Sequence, residues 1–390
     1  MLDFTFCSPT QFVFGRGAQK QAGRLLKENG ATKVLIHYGG GSVKRSGLLD
    51  EVRESLREAN IPFVELGGAQ PNPMDDLVYE GIELCRREGV DFVLALGGGS
   101  AIDSGKAIAD GVLYAGDFWD FFSGKVVLER SLPVGVVLTI PAAGSESSDS
   151  SVITRRDGMR KNGNSSPWHR PRFALMNPEL TYTLPWNQTA NGICDMMAHI
   201  FERYFTRTPD VDLTDEMCEA VLRSIIRAAK DCQKNPESYE SRATLMWAGT
   251  IAHNNTLGVG RAQDWGTHKI EHELSALYGV AHGAGLAVLF PAWMQYVYQQ
   301  DVARFARFAH NVMGCADTGD QEKDALAGIA ALKAFWGSLE LPLSFAELGA
   351  KTEDIPKLAA TVRYDADGGL GNFMRLREAD VVRILEIAAQ

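Results

Sequence analysis

No CxxC pair occurs in this sequence, and its six cysteines (Cys7, Cys85, Cys194, Cys218, Cys232, Cys315) lie scattered along 390 residues. A chain that large has no need of staples, so the thiols read as reduced and structural, Cys194 alone standing near the chemistry proposed below. Long apolar runs are also missing: none approaches the ~18 residues of a membrane helix. The opening Met1-Leu2-Asp3-Phe4-Thr5-Phe6 lacks the basic start and apolar stretch of a signal peptide. A cytoplasmic protein with no membrane partner is expected. There is no basic stripe, and the net charge of −10 argues against a nucleic-acid or anionic-membrane surface. Internal repeats and low-complexity segments are absent too.

The composition, 45% hydrophobic and 23% charged, is that of an ordinary soluble globular protein. A length of 390 residues is long for one core and short for three, so two domains are expected.

Histidine is where the sequence is unevenly rich, since five of its eight histidines fall between Gly192 and Gly285. Asp195 and His199 stand four apart, which in a helix puts both on one face. His268 and His272 repeat that spacing, and His282 follows beyond the turn signal Tyr278-Gly279-Val280. On one straight helix His268 and His282 would be ~21 Å apart, beyond the reach of one ion. A turn at Gly279 must therefore fold them together. Gly283 and Gly285 suit close backbone packing at the start of the next helix. One aspartate with several histidines, and no thiolate, suits Fe(II), Zn(II) or Co(II) and leaves room for a substrate oxygen.

Read from its start, the chain alternates strands and helices. A short strand at 11–13 and a turn at Phe14-Gly15-Arg16-Gly17 lead to a helix through Leu25 and Leu26. Lys33–Tyr38 is a strand, Gly39-Gly40-Gly41-Ser42 a tight turn, and Val43–Ala59 a helix with Leu48, Leu49, Val52 and Leu56 on one face. Phe63–Leu66 is the next strand, followed by the Pro71-Asn72-Pro73 turn and a helix over Asp75–Glu88. Asp91–Leu96 is continuously apolar, as buried parallel strands are. It ends in Gly97-Gly98-Gly99-Ser100, and a helix begins near Ala101. Strand, glycine loop and helix N-terminus together suit a pyrophosphate, because free N–H groups and the positive helix end face the anion. Gly135–Ile140 and Phe173–Met176 are further strands, with a hairpin around Asp157-Gly158 between them. After Pro185 strand signals stop and amphipathic helices run to Gln390. The expected domains are an α/β dinucleotide-binding unit with a parallel, Rossmann-like sheet at 1–184 and an all-helical metal and substrate domain at 185–390. A nucleotide and a substrate would then meet in the cleft between the domains. At the first glycine loop the acid expected of an NAD site is missing, while Ser42, Lys44 and Arg45 offer a hydroxyl and two cations. That pattern favours NADP.

Gly192–Tyr204 with its Asp195-x-x-x-His199, the run from Asp264-Trp265 through His268 and His272-Glu273-Leu274 to His282-Gly283, and Gly97–Ser100 with Asp103 and Lys106 carry a resemblance. Over essentially its whole length the sequence resembles the iron-containing, group III alcohol dehydrogenases, within them the butanol-dehydrogenase-like branch. The resemblance implies a dehydroquinate-synthase-like architecture and metal ligation by Asp195, His199, His268 and His282, with His272 a non-ligand beside the substrate. It also implies that Gly39, Gly40 and Ser42 form the adenosine-phosphate loop, that Gly97, Gly98, Gly99, Ser100 and Asp103 form the pyrophosphate loop, and that Asn72, Thr139, Lys161 and Tyr182 are further cofactor contacts. Ala143 departs from the pattern, since family members usually carry a threonine there whose hydroxyl can reach the cofactor.

The implied activity is reversible reduction of aldehydes to primary, butanol-like alcohols by hydride transfer. NADPH would be favoured over NADH, one Fe(II) or Zn(II) would act as Lewis acid, and His272 would relay the proton to solvent. Family analogy adds a homodimer. His253 has no assigned role. Two alternatives stand beside this reading: a polyol (glycerol-like) dehydrogenase on the same fold, and a non-catalytic nucleotide- and metal-binding protein. The His268–His282 match argues against the first, and the intact ligands, Lys106 and both glycine loops argue against the second.

Overall fold

The computed structural model describes residues 1–390. Its α/β part runs β1 (Gln11–Phe14), α1 (Ala22–Glu28), β2 (Val34–Tyr38), α2 (Ser42–Arg45), α3 (Leu48–Glu58), β3 (Phe63–Gly67), α4 (Asp75–Glu88), β4 (Phe92–Gly97), α5 (Gly99–Val112), α6 (Trp119–Phe122) and β5 (Val134–Leu138). The β6–β7 hairpin (Ser150–Arg155, Arg160–Ser165) and β8 (Phe173–Met176) follow. Six strands form one sheet in the order β1-β8-β5-β4-β2-β3. Every pairing in it is parallel.

Period-two alternation sorts the strand residues onto two buried faces. Leu35, Val93, Ala95, Val136 and Leu138 pack with Val78, Ile82, Ile102 and Ile108 of α4 and α5. Val34, Ile36, Leu94, Val137 and Leu175 pack with Leu25, Leu26, Val52 and Leu56 of α1 and α3. Both faces are covered, which is why these strands read as unbroken apolar runs. Each of the valine, leucine and isoleucine side chains among them contributes about 1.5–3 kcal/mol on burial.

One expected helix is two. The 43–59 stretch breaks after Arg45 because Gly47 takes a left-handed φ of 79°, a conformation glycine adopts without steric cost. The helix after β4 begins at Gly99, two residues before Ala101.

Beyond Pro185 the chain is helical: α7 (Trp186–Tyr204), α8 (Asp212–Lys234), α9 (Tyr239–His253), α10 (Gly266–Tyr278), α11 (His282–Val297), α12 (Val302–Phe308), α13 (Gln321–Ser338), two shorter helices and a last one at Glu378–Ala388. Helix α7 is buried on almost every side from Thr189 onward and packs against α8 and α11. Its Phe201 sits among Phe290, Phe308 and Trp336. No helix is long and apolar enough to cross a membrane.

The compact units are Cys7–Leu184 with Glu237–Thr250, and Met1–Phe6 with Pro185–Pro236 and Ile251–Gln390. They change over at Pro185, yet two short pieces belong to the other unit from the one a single cut there gives them. Met1–Phe6 joins the helical unit, with Leu2 N–H donating to the Gly260 carbonyl at 2.8 Å and the amino terminus to Pro209 O at 3.0 Å. The Glu237–Thr250 piece joins the α/β unit, where Trp247 meets Phe12 edge-on at 5.3 Å and Thr250 donates to Glu146.

Candidate metal centre and glycine loops

Helical spacing places Asp195, His199 and Glu202 along one face of α7. Gly279, with φ 67°, ends α10 in a left-handed cap, so His268 near the start of α10 and His282 at the first position of α11 come together. Around Asp195 Oδ1 stand His199 Nδ1 at 3.7 Å, His282 Nε2 at 3.8 Å and His268 Nε2 at 4.0 Å. His199 Nδ1 and His268 Nε2 are fully buried and meet no hydrogen-bond partner within the protein. Leaving a buried polar atom unpaired costs about 1–3 kcal/mol, so two such nitrogens beside a carboxylate fit a divalent ion. Burial, with His253 next in effect, holds the His199 imidazole well below its ordinary pKa. The ring is therefore neutral, the form that binds metal.

Carboxylates that no motif pointed to stand behind two of these histidines. His268 Nδ1 lies 2.7 Å from Glu202 Oε1, which also accepts the His268 backbone N–H at 3.1 Å, while Oε2 accepts that of Trp265 at 2.6 Å. His282 Nδ1 bonds Glu271 Oε2, and Ser275 donates to Oε1 of the same group. Helical spacing is the signal that could have found them, since Glu202 lies three residues after His199 and Glu271 three after His268. The expected close packing at Gly283 and Gly285 is present. A Cβ at Gly283 would lie 2.1 Å from the Asn191 carbonyl oxygen, and one at Gly285 would lie 2.6 Å from Glu271 Oε1.

Trp265 holds φ 65° as N-cap of α10, an outlier for a bulky residue. Its indole meets the His199, His253 and His268 rings at 5.9, 5.5 and 5.2 Å and lies 4.7 Å below the Arg203 guanidinium. His253 stacks on His199 at 4.1 Å. Asp264 accepts from the N–H groups of Gly266, Asn372 and Phe373, and burial, reinforced by the Glu202 charge, pushes its carboxyl up to about 6. His272 is half-buried with its ring 5.7 Å from that of His282. Cys194 is buried, its thiol pushed well above the ordinary range by burial and then by the Asp195 charge, so it stays protonated.

In the α/β unit, Gly97-Gly98-Gly99 joins β4 to the N-terminus of α5. The segment after β5 lies directly on this loop. Thr139 N–H donates to Gly97 O at 3.0 Å, and Cβ atoms at Gly98 and Gly99 would come within 2.8 Å of Ile140 and 2.9 Å of Ala143. Ser100 is half-buried in the first turn of α5. Asp103 is turned to internal work, its carboxylate accepting from Ser145 Oγ and from Val152 N–H at 2.9 Å. Lys106 is fully buried and grips the same segment, donating to Ser145 Oγ at 2.9 Å and to Ser150 O at 2.8 Å. Burial, the largest cause, lowers its pKa to about 8.

At the other loop Gly39 is half-buried and Gly40 exposed; a Cβ at Gly40 would touch nothing within 4 Å. Ser42, Lys44 and Arg45 are exposed, with Lys44 Nζ 5.2 Å from the Tyr38 ring. Asn72 holds φ 55°. Lys161 is buried in β7, and Tyr182 is half-buried just after β8.

The sequence matches the family model described as iron-containing alcohol dehydrogenase over residues 9–178. It matches the C-terminal model of the Fe-containing alcohol dehydrogenase family over 189–389. It is 44% identical over 387 residues, 99% of each chain, to the probable NADH-dependent butanol dehydrogenase 2 of Bacillus subtilis. It is 37% identical over 361 residues, 92% of each chain, to the NADPH-dependent aldehyde reductase YqhD of Escherichia coli. The crystal structure of NADH-dependent butanol dehydrogenase A from Thermotoga maritima superposes with a TM-score of 0.97 at 42% identity, covering 100% of this chain and 99% of that one.

Proposed function

The chain belongs to the iron-containing alcohol dehydrogenase family, in its butanol-dehydrogenase-like branch, and from that premise we propose how its own residues interconvert primary alcohols and aldehydes. It is an oxidoreductase acting on CH–OH groups with a nicotinamide cofactor and a metal. The carrying observation is the pair of buried, partnerless nitrogens of His199 and His268 beside Asp195 and His282. These four residues would hold the ion, Fe(II) or Zn(II), and when bound it supplies Lewis acidity toward a carbonyl oxygen. His272, half-buried beside the His282 ring, carries the proton between substrate oxygen and solvent.

Backbone N–H groups at the start of α5 bind the pyrophosphate, with Ser100, Thr139, Lys161 and Tyr182 as further contacts. Asp103 serves the cofactor by holding the 145–152 segment. For the adenosine end the reading is NADPH ahead of NADH. A Cβ at Gly40 would touch nothing within 4 Å, so the loop leaves open space for an adenosine phosphate. The loop presents Ser42, Lys44 and Arg45 to a 2′-phosphate and no carboxylate against it. The names of the relatives divide between NADH and NADPH. A cytoplasmic homodimer completes the proposal; β1 is an edge strand of the sheet, its Phe14 41% exposed, and sedimentation tests the stoichiometry.

The deciding experiment is anaerobic turnover of Fe(II)- or Zn(II)-loaded protein with butanal, following NADPH and NADH oxidation separately. Metal-dependent loss of NADPH with the higher kcat/KM is expected. Preference for NADH removes the 2′-phosphate reading and keeps the activity, whereas no turnover with either cofactor in metal-loaded protein removes the proposal.

A further inference from the structure

Two carboxylates do more around the metal centre than fill space. A carboxylate only accepts hydrogen bonds, so the ring nitrogen facing it must carry the proton. Glu202 and Glu271 therefore specify the Nδ1–H form of His268 and His282, leaving each Nε2 lone pair free on the side of Asp195, 4.0 and 3.8 Å from its Oδ1. Both glutamates are buried, at 1% and 0% exposure, where an ion pair or charged hydrogen bond is little screened. From this geometry we infer that Glu202 and Glu271 are positioning residues: they fix the tautomers of His268 and His282 and thereby set this chain's affinity for a divalent ion. The inference rests on the metal reading above.

The two supports are not equivalent. Glu202 also caps α10 through the N–H groups of Trp265 and His268, so its removal disturbs local structure as well. Glu271, inside α10, bonds the His282 ring and the Ser275 hydroxyl, and it is the support to replace. Gly285 gives a second handle on the same group: a Cβ there would sit 2.6 Å from Glu271 Oε1. Gly285→Ala thus pushes the carboxylate away from His282 without removing it.

The test is zinc affinity, by competition with a chelator, for the parent, His282→Ala, Glu271→Gln and Gly285→Ala, with NADPH binding measured alongside as a check on the fold. Glu271→Gln should bind zinc about 10- to 100-fold more weakly, Gly285→Ala should weaken it in the same direction, and NADPH affinity should stay close to that of the parent. If His282→Ala binds zinc as the parent does, the metal reading falls and this inference with it. If His282→Ala loses zinc while Glu271→Gln and Gly285→Ala stay within threefold of the parent, only the inference falls. Should the variants fail to fold, histidine-selective 15N NMR of the metal-free parent decides, since no ion then holds the rings in one form. Nδ1–H signals from His268 and His282 uphold the inference, and an Nε2–H form at either overturns it.

Discussion

The two units bury histidines in opposite ways. In the α/β unit His37 places Nδ1 3.0 Å from the Leu66 carbonyl and Nε2 3.0 Å from the Ser104 hydroxyl, and His169 is bonded by Asp149 O and Asp110. Both rings of that unit are satisfied core side chains. In the helical unit His199 and His268 each bury a ring nitrogen that meets nothing in the protein. A buried polar atom left unpaired costs about 1–3 kcal/mol, which a bound ion would repay, so the bonding of a buried histidine, more than its presence, marks a candidate ligand.

Breaking the unsatisfied set should have the largest effect. Asp195→Ala or His268→Ala should abolish stoichiometric metal binding and lower kcat by about 100-fold or more, the rate equivalent of losing ~3 kcal/mol of charge stabilisation. Metal analysis alongside steady-state butanal reduction checks this, and a variant that keeps both metal and rate would dissolve the contrast between the two kinds of histidine.

The satisfied set makes the complementary prediction, one about stability. Burial lowers the His37 pKa from 6.5 to about 4, against a smaller raising effect of its Leu66 hydrogen bond. Between those values the unfolded chain takes up a proton that the folded ring refuses, so stability falls as pH drops from 6.5 toward 4, by about 3 kcal/mol over the window. Urea unfolding of metal-free protein at pH 7 and pH 5 measures it, and His37→Gln should reduce the dependence, leaving the share that His199, buried in the same way, contributes. Equal stability of the parent at both pH values would refute the burial argument. Metal-free protein is the right material because acid also displaces metal from histidines.

Sequence alone made the side-chain chemistry legible and its supports much less so. Spacing and the turn at Gly279 mark Asp195, His199, His268, His272 and His282 as a set, the family resemblance singles out the four without His272 as ligands, and the parallel strands show in their unbroken apolar runs. Glu202 and Glu271 are single acids among 49 acidic residues, and only helical spacing from the histidines marks them. The apolar stripe Leu48–Leu56 masked the break at Gly47, because periodicity survives a turn that leaves both pieces on the same core. The allegiance of Glu237–Thr250 to the α/β unit was not legible at all: an amphipathic helix records that it has a buried face, not which partner covers it.

The glycine loops supply the middle-sized effect, since the α/β site is built from space where the metal centre is built from side chains. Gly98→Ala brings a Cβ within 2.8 Å of that of Ile140, an overpacking cost of about 1–3 kcal/mol. Thermal unfolding should show a lower midpoint, with weaker cofactor binding and unchanged metal content. A midpoint and cofactor affinity equal to those of the parent would mean that the loop has slack the geometry does not show.

Ala143→Thr is the smallest and sharpest probe, because it asks whether that space can gain a hydrogen bond without closing. Ala143 is half-buried, its Cβ within 2.9 Å of where one on Gly99 would stand. A threonine hydroxyl directed at the cofactor contributes about 0.5–1.5 kcal/mol, so the cofactor Kd should fall about two- to tenfold while butanal KM and metal content hold still. Fluorescence titration with NADPH and NADH reads the change. A rise in Kd instead would show that the added methyl crowds the Gly99 turn, and that this chain's alanine preserves room at the expense of a bond.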